Sequence, residues 1–480
     1  MPFKRNYSMD FPAPATVLSA LSFIIFGCLY LPSPAHADLA LFSKHIVEYN
    51  LERHELSLSD RTYRGEEGVL RINPEVGRSL GLKILINQDY LKATALYSEA
   101  EDLYEKAVEA MDSLEKEAYS GEHVKTIEQL GIRHNEAIAL GWEHMLAYRS
   151  KLTTEVDVRL NTDCNSRLLE KLLTEELKNA SHNLRNGLGR FYNRCQDLHM
   201  DPPLNLENVK FVNHVFYEFT EQATTEVQNR FDLDRCDTRD IETSWSMWKY
   251  ALGRSSSRFA AVVEDAFEKN PSARKYVDVL LFLALMRQES NFKPRNVSYV
   301  GAAGLTQIMP STAKGLGMKD IFSPSYLKEA GSLLGRERKL KKKAKDQFLG
   351  ITASNSAEPA EQARSLRQKS LTCGKKRKDL YARYKKELLK SGTDDRLDPQ
   401  KAAQYGLKYF SHMMKIQKGD ASLALASYNA GPHRVKQYKG IPPYDETIGF
   451  RNKILKYYQI YLARAKKNSL KQAKIQEEPS

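Results

Sequence analysis

The sequence is short of several things, and each shortage excludes a class of protein. It has 5 cysteines in 480 residues. None falls with another cysteine or a histidine at zinc-ligand spacing, and no His-Glu-x-x-His occurs, so neither a zinc-finger module nor a metalloprotease helix is written here. Alternating apolar-polar runs are few and glycine and proline punctuation is sparse, which argues against a sheet-based fold. Beyond residue 37 no apolar run is long enough to span a bilayer. No recognisable nucleic-acid-binding motif accompanies the net charge of +13. That charge is also local: residues 323–396 hold 20 Lys/Arg against 9 Asp/Glu, or +11, and the rest of the chain is close to neutral.

At the N-terminus, Lys4 and Arg5 precede an apolar run from Ala15 to Leu31, then Pro32, Pro34 and Ala35-His36-Ala37. This is the layout of a secretory signal peptide over residues 1–37, which sends the mature chain to the periplasm or cell envelope. An uncleaved anchor and a lipidated Cys28 are the lesser alternatives; Ile25 and Phe26 suit a lipidation site poorly. In an oxidising compartment Cys164, Cys195, Cys236 and Cys373 could form two disulfides in any of three pairings, or stay as four thiols.

Residues 38–250 read as a helical N-terminal region of unreadable role. Three-four spacing of Leu91, Ala95, Tyr97, Ala100 and Leu103 opens a helical stretch to Leu152, broken at Ser120-Gly121 into two antiparallel helices. Further helices are expected over Arg167–Asn193 and Leu206–Asn229, separated by Pro202-Pro203. No internal repeat stands out. The fold class is therefore all-α, and a different organisation begins near residue 251.

There a helix of Tyr276–Met286, apolar nearly all round, ends in Arg287-Gln288-Glu289-Ser290-Asn291-Phe292, and Pro294 prevents its continuation. Desolvation and the negative end of the helix dipole both disfavour a charged Glu289. A carboxyl that stays protonated near neutral pH can give a proton to a leaving group. A plain alternative is a Glu289 that points into water or pairs with Arg287. Downstream come Ser298, then Gly301-Ala302-Ala303-Gly304-Leu305-Thr306-Gln307-Ile308-Met309-Pro310, whose glycines allow close backbone approach and whose Gln307 suits sugar hydroxyl and acetamido groups. After the basic segment follow Tyr428-Asn429-Ala430-Gly431-Pro432, at the end of a short helix capped by Asp420, and then Glu446-Thr447.

Taken in this order, the four blocks resemble the soluble lytic transglycosylase family, over roughly residues 255–322 and 397–465. The resemblance implies a lysozyme-like helical catalytic domain over 251–470, interrupted by a basic insert at 323–396 and followed by a tail at 471–480. It implies Glu289 as the catalytic acid and then base, Ser298, Gln307, Met309, Tyr428 and Asn429 as the sugar-binding residues, and Glu446 as a supporting polar group. No metal and no cofactor are implied. The activity implied is cleavage of peptidoglycan glycan strands at the MurNAc-GlcNAc β-1,4 bond with 1,6-anhydroMurNAc ends. The rivals are a goose-type lysozyme hydrolysing the same bond and a non-catalytic wall-binding protein. The chain departs from the family at Thr306, where Met is usual, at Phe450-Arg451, where an aromatic-Val pair is usual, and in the long connection before Asp398-Pro399. That connection is read as a solvated helical excursion, weakly ordered at Ile351–Arg364. Alternatively it attracts anionic wall groups or an acidic partner. Nucleic acid is not an expected partner, and oligomeric state is not legible.

Overall fold

The computed structural model describes Ile46, residues 65–68, 70–113, 120–180, 183–196, 204–222 and 241–477. The leader, Cys28 and Cys236 lie outside the described residues. Among those described, the regular structure is all helical, with only isolated bridges besides.

In chain order the helices are α1 (Pro74–Ser79), α2 (Gln88–Asp112), α3 (Ser120–Arg149), α4 (Thr162–Asn179), α5 (Leu184–Cys195), α6 (Val209–Gln222) and α7 (Ile241–Met247). There follow α8 (Ala260–Glu268), α9 (Val279–Ser290), α10 (Pro310–Leu316), α11 (Tyr326–Leu349), α12 (Ala357–Ser391), α13 (Pro399–Ile416), α14 (Ala421–Ala430), α15 (Pro432–Gln437) and α16 (Asp445–Glu477). Side-chain caps set many of the starts. Asn87, Asn161, Asn183, Asp278, Asp398 and Asp420 each accept a hydrogen bond from a backbone N–H of the first turn. The helix expected over Arg167–Asn193 is two, because Asn183 caps a fresh start. The last helix runs on to Glu477, through most of the stretch read as a tail.

α9 is the axis of the second half. Val279 through Met286 are all buried, against α16, α13 and α14, in one apolar core that also takes in Phe267, Phe410, Met413 and Tyr458. At its N-terminus Asp278 is sealed inside, accepting from the hydroxyls of Ser244 and Tyr458 at 2.7 Å each. That carboxyl is structural.

The basic insert is not a loose excursion. α11 and α12 form a long antiparallel hairpin, and Ile351, expected in weakly ordered chain, is fully buried. The reason is a partner surface that sequence alone does not reveal. The hairpin packs on a second hairpin, α2–α3, burying Phe348, Ile351, Ala360 and Ala363 against Ala107, Met111 and Ile127. Polar contacts lock the pair: Arg367 grips Asp112 with two nitrogens, and Asn135 Nδ2 donates to the Ile351 carbonyl at 2.6 Å.

The two hairpins belong to two copies of one arrangement, so the expectation of no internal repeat is corrected. Gly65 and Gly68 match Gly301 and Gly304, all four at positive φ; Arg71 at φ 50 matches Gln307 at φ 46; Ile72, Pro74 and Gly81 match Ile308, Pro310 and Gly317 at a constant shift in numbering. In each copy a buried arginine closes the loop. Arg396 donates to the carbonyls of Gly301 and Ile308, to the Tyr384 hydroxyl and to both oxygens of Asp394. Arg159 does the same to Gly65, Ile72, Tyr148 and Asp157. A Cβ on Gly68 would lie 1.8 Å from the Arg159 carbonyl oxygen, and one on Gly304 would lie 1.8 Å from that of Arg396. Further on, Tyr192-Asn193 matches Tyr428-Asn429, and Glu207-Asn208-Val209 matches Glu446-Thr447-Ile448. Asn208 donates to Asn193 Oδ1 at 2.8 Å, and Thr447 donates to Asn429 Oδ1 at 2.8 Å. The identities are too scattered to be seen in the sequence, because main-chain carbonyls accept most of the shared bonds.

Candidate active site

Glu289 sits on the last turn of α9, where the buried run gives way to partly exposed residues. The helix stops because Asn291 and Phe292 both take left-handed backbone, at φ 49 and 58. Phe292 is held there by burial, stacked on Phe259 with ring centroids 6.0 Å apart. The suggested pairing of Glu289 with Arg287 does not form. Arg287 instead lies over Tyr457, 4.1 Å from the ring centroid, and over Tyr461. Burial pushes the Glu289 pKa well above the usual carboxylate range, and the nearby negative charge of Glu446 pushes it further.

One wall comes from the loop before α10. Two bridges, Val297 to Ala303 and Ala303 to Ile308, fold it into a tight hook. Ser298 Oγ accepts from the amides of Ala302 and Val300 at 3.0 and 3.3 Å, so the hydroxyl holds the turn that precedes Gly304. The Gln307 amide donates to the carbonyls of Asn296 and Gly304 at 2.9 and 2.8 Å, which spends its donor half on the loop and leaves Oε1 to accept from a ligand. Asn296 in turn donates to the Glu289 carbonyl at 3.4 Å, linking hook and helix. Met309 is 37% exposed at the start of α10, an apolar surface beside the hook.

α14 and the start of α16 make the other wall. Tyr428 is buried against Tyr409 and Phe410, and its hydroxyl donates to the Thr306 carbonyl at 2.8 Å. Burial and then the Glu289 charge drive its pKa well up, so it stays a neutral donor. Asn429 is partly exposed, its oxygen taken by Thr447, while Glu446 is exposed at the rim. The structure thus brings Glu289, Tyr428 and Glu446 into one electrostatic neighbourhood, ties Gln307 to it through Asn296, and leaves Ser298 bonded within its own loop.

Sequence reasoning passed over Asn296, Asp394, Arg396 and Tyr384, which fix the hook from below. The signal was there twice, in Asp157-Val158-Arg159-Leu160 and Asp394-Asp395-Arg396-Leu397, each downstream of a Gly-x-x-Gly. Two departures also find their reasons. Thr306 is fully buried, and a Cβ on Gly406 of α13 would lie 2.4 Å from it, so a longer side chain at 306 would have to displace that helix. Arg451 is buried where α16 meets the first half, donating to Ser422 and Asn186.

Of the other acids, Glu329 pairs with Lys376 on the insert and Asp278 is locked in the core. Cys164, Cys195 and Cys373 are free thiols, and burial pushes Cys195 up to about 12. Among the described residues no group of three or more His, Cys, Asp or Glu side chains could hold a metal ion, and no helix is long and apolar enough to cross a membrane. A carboxyl whose pKa burial raises, beside a buried tyrosine and an amide-lined wall, is an arrangement suited to delivering one proton to a bound polar ligand.

Residues 267–331 and 378–447 match the family model described as Transglycosylase SLT domain; the gap between them falls in the α11–α12 hairpin. A curated protein named Transglycosylase, from Enterobacteria phage PRD1, is 41% identical over 66 residues, 14% of this chain and 25% of that protein. The match therefore spans a quarter of that relative's length. A solved structure titled as the lytic transglycosylase Slt of Pseudomonas aeruginosa, an inactive mutant, is 18% identical, covering 89% of this chain and 68% of that one at a TM-score of 0.26.

Proposed function

We propose that this chain, which carries a transglycosylase SLT domain, is an exported peptidoglycan lytic transglycosylase that cuts between N-acetylmuramic acid and N-acetylglucosamine. The observation that carries the reading is the placement of Glu289: a carboxyl held protonated by burial at the end of the apolar helix of that domain, beside Tyr428 and the Gln307 hook.

In this reaction Glu289 gives its proton to the glycosidic oxygen, and the bond from that oxygen to the muramic C1 breaks. The carbonyl oxygen of the 2-acetamido group supports the positive charge at C1. The Glu289 carboxylate then takes the proton of the C6 hydroxyl, whose oxygen closes on C1 as a 1,6-anhydro ring. The carboxyl ends protonated as it began, and no water is consumed. Glu446 keeps the acid protonated until it is needed. Gln307 Oε1, Asn429 and Met309 line the sugar path, while Ser298 and the donor half of Gln307 keep the hook in shape.

Mass spectrometry of sugars released from purified peptidoglycan by the mature protein tests this. Fragments ending in 1,6-anhydromuramic acid, lighter by one water, are expected. Reducing ends would make the protein a lysozyme-type hydrolase, and an absence of fragments would leave it a wall-binding protein. Export is tested by locating the processed N-terminus after Ala37 in periplasmic extracts.

A further inference from the structure

We propose that the described residues between 65 and 222 form a second copy of the hook, hairpin and wall arrangement of the transglycosylase domain with its cleft closed, and that this copy positions the catalytic cleft of the first through Asn213. The inference rests on the enzymatic reading above for its effect on turnover, but not for its geometry.

The closure is visible at matched positions. Asn73 and Cys195 occupy the places of Met309 and Gly431, and the Asn73 amide donates to the Cys195 carbonyl at 2.9 Å. Gln196 adds a bond to the Arg71 carbonyl, next to the first. The two walls are stitched together where a glycan would have to pass. Asn193, in the place of Asn429, is fully buried and accepts from Asn205 and Asn208. In the second half no bond joins Met309 to Gly431 among the described residues; Met309 is exposed and Asn429 partly so. The sequence also lacks a counterpart of the Glu289-Ser290 pair. The shift that relates the copies carries Glu289 to Arg53, and no Glu-Ser pair occurs between residues 38 and 64.

What the closed copy retains is its grip. Asn213, on α6 and buried, donates from Nδ2 to the Ile441 carbonyl at 2.7 Å and accepts at Oδ1 from the Ile441 amide at 2.9 Å. Both main-chain polar groups of one residue, from two successive peptide units, are thus held by one side chain. A Cβ on Gly440 would lie 2.3 Å from Asn213 Oδ1, so the loop is shaped to admit this asparagine. From Ile441 the chain runs directly to Glu446 and Thr447, the pair that acts on Glu289 and Asn429. On the far side Arg185 pairs with Asp420 at 2.7 Å, the cap of the helix that ends in Tyr428-Asn429. One wall of the cleft is therefore held at both ends by the inactive copy. The contact is reciprocal: Asn452, the match of Asn213, donates to the Leu204 carbonyl at 2.6 Å. Only the Asn213 contact leads to a working cleft, so the two should differ in effect. Asn213 is a positioning residue.

The test uses the full chain with Asn213→Leu, which keeps the branching and heavy-atom count and removes both bonds, and Asn452→Leu as the mirrored control. Glu446 from α16 is the charged group that bears on Glu289, and Tyr428 from α14 lies close enough to feel the Glu289 charge. Once the loop is loosened, Glu446 supports the protonated acid less. For Asn213→Leu we expect a native circular dichroism spectrum, a fall in kcat of about tenfold with KM little changed, and an alkaline limb of the pH-rate profile moved to lower pH. Hydrogen exchange at residues 441–447 should quicken about tenfold. Asn452→Leu should leave limb and exchange in place. If Asn213→Leu does not fold, Asn213→Asp keeps the acceptor for the Ile441 amide, removes the donor, and should show the same shifts in smaller measure. Wild-type kcat, limb and exchange in a folded variant would overturn the proposal, and so would glycan cleavage that survives Glu289→Gln. A wild-type protein that cuts nothing would defeat the enzymatic reading instead, and the exchange result would then decide the positioning role by itself.

Discussion

The hydroxyl of Tyr428 donates to the backbone carbonyl of Thr306 at 2.8 Å, and this bond joins the two walls of the cleft. It ties the end of α14 to the hook that carries Gln307 and Met309, across a sequence gap that includes the whole basic hairpin. Removing it with Tyr428→Phe leaves a buried carbonyl unpaired, at a cost of about 1–3 kcal/mol. We expect a lower thermal midpoint and a fall in kcat of about tenfold. A variant with wild-type turnover would show that the hook is held well enough without it.

Glu289→Gln is expected to abolish cleavage, by about 10²–10⁴-fold, while the protein stays folded. The stability effect has a definite sign. Burial raises the folded pKa of Glu289 above its unfolded value, so its contribution is most favourable below the unfolded pKa and is lost as pH rises through the folded one. The thermal midpoint of the Gln variant should therefore gain on wild type as pH increases. A difference that shrank with rising pH would contradict the buried, protonated acid.

Glu446→Gln removes the negative charge that helps keep the proton on Glu289. The acid should then ionise at lower pH, and the alkaline limb of kcat/KM should move downward. A limb that stayed in place would mean that burial alone sets the acid.

Arg396 is buried among five acceptors, so Arg396→Met should cost about 3–5 kcal/mol by taking the cationic partner away from the buried Asp394 carboxyl. Denaturant titration would measure this. Arg159→Met should cost a similar amount through Asp157, with less effect on the pH dependence of turnover, since its loop belongs to the closed copy.

Gly304→Ala and Gly315→Ala make a matched pair on the same segment. The first places a Cβ 1.8 Å from the Arg396 carbonyl oxygen at positive φ, while the second meets nothing within 4 Å. The first should lose activity and about 2 kcal/mol or more, and the second should be close to neutral. Equal effects would mean that the hook is not clamped by Arg396.

Much of the site was legible because its residues are neighbours in short blocks. A Glu closing an apolar helix, a Gly-x-x-Gly with Gln307 behind it, and Tyr428-Asn429 at a helix end each carry their chemistry locally. The supporting residues were not legible in this way. Asn296 acts through backbone groups, and Arg396 looks like one more basic residue at the end of a basic segment. The insert misled for a related reason. Its lysines face solvent and dominate its composition, while Phe348, Ile351 and Ala360 are too few to announce a partner surface.

The sequence by itself determined an all-helical chain, the buried helix, and the acid at its end, since helical periodicity and a carboxyl's dislike of an apolar setting are local facts. Only the tertiary structure decided that the described residues between 65 and 222 repeat the arrangement of the second half, that Asn73 bonds to Cys195 within it, and that Asn213 reaches across to Ile441. Those facts depend on main-chain groups brought together from far along the chain. Side chains that meet a main-chain amide or carbonyl leave little trace in composition or spacing.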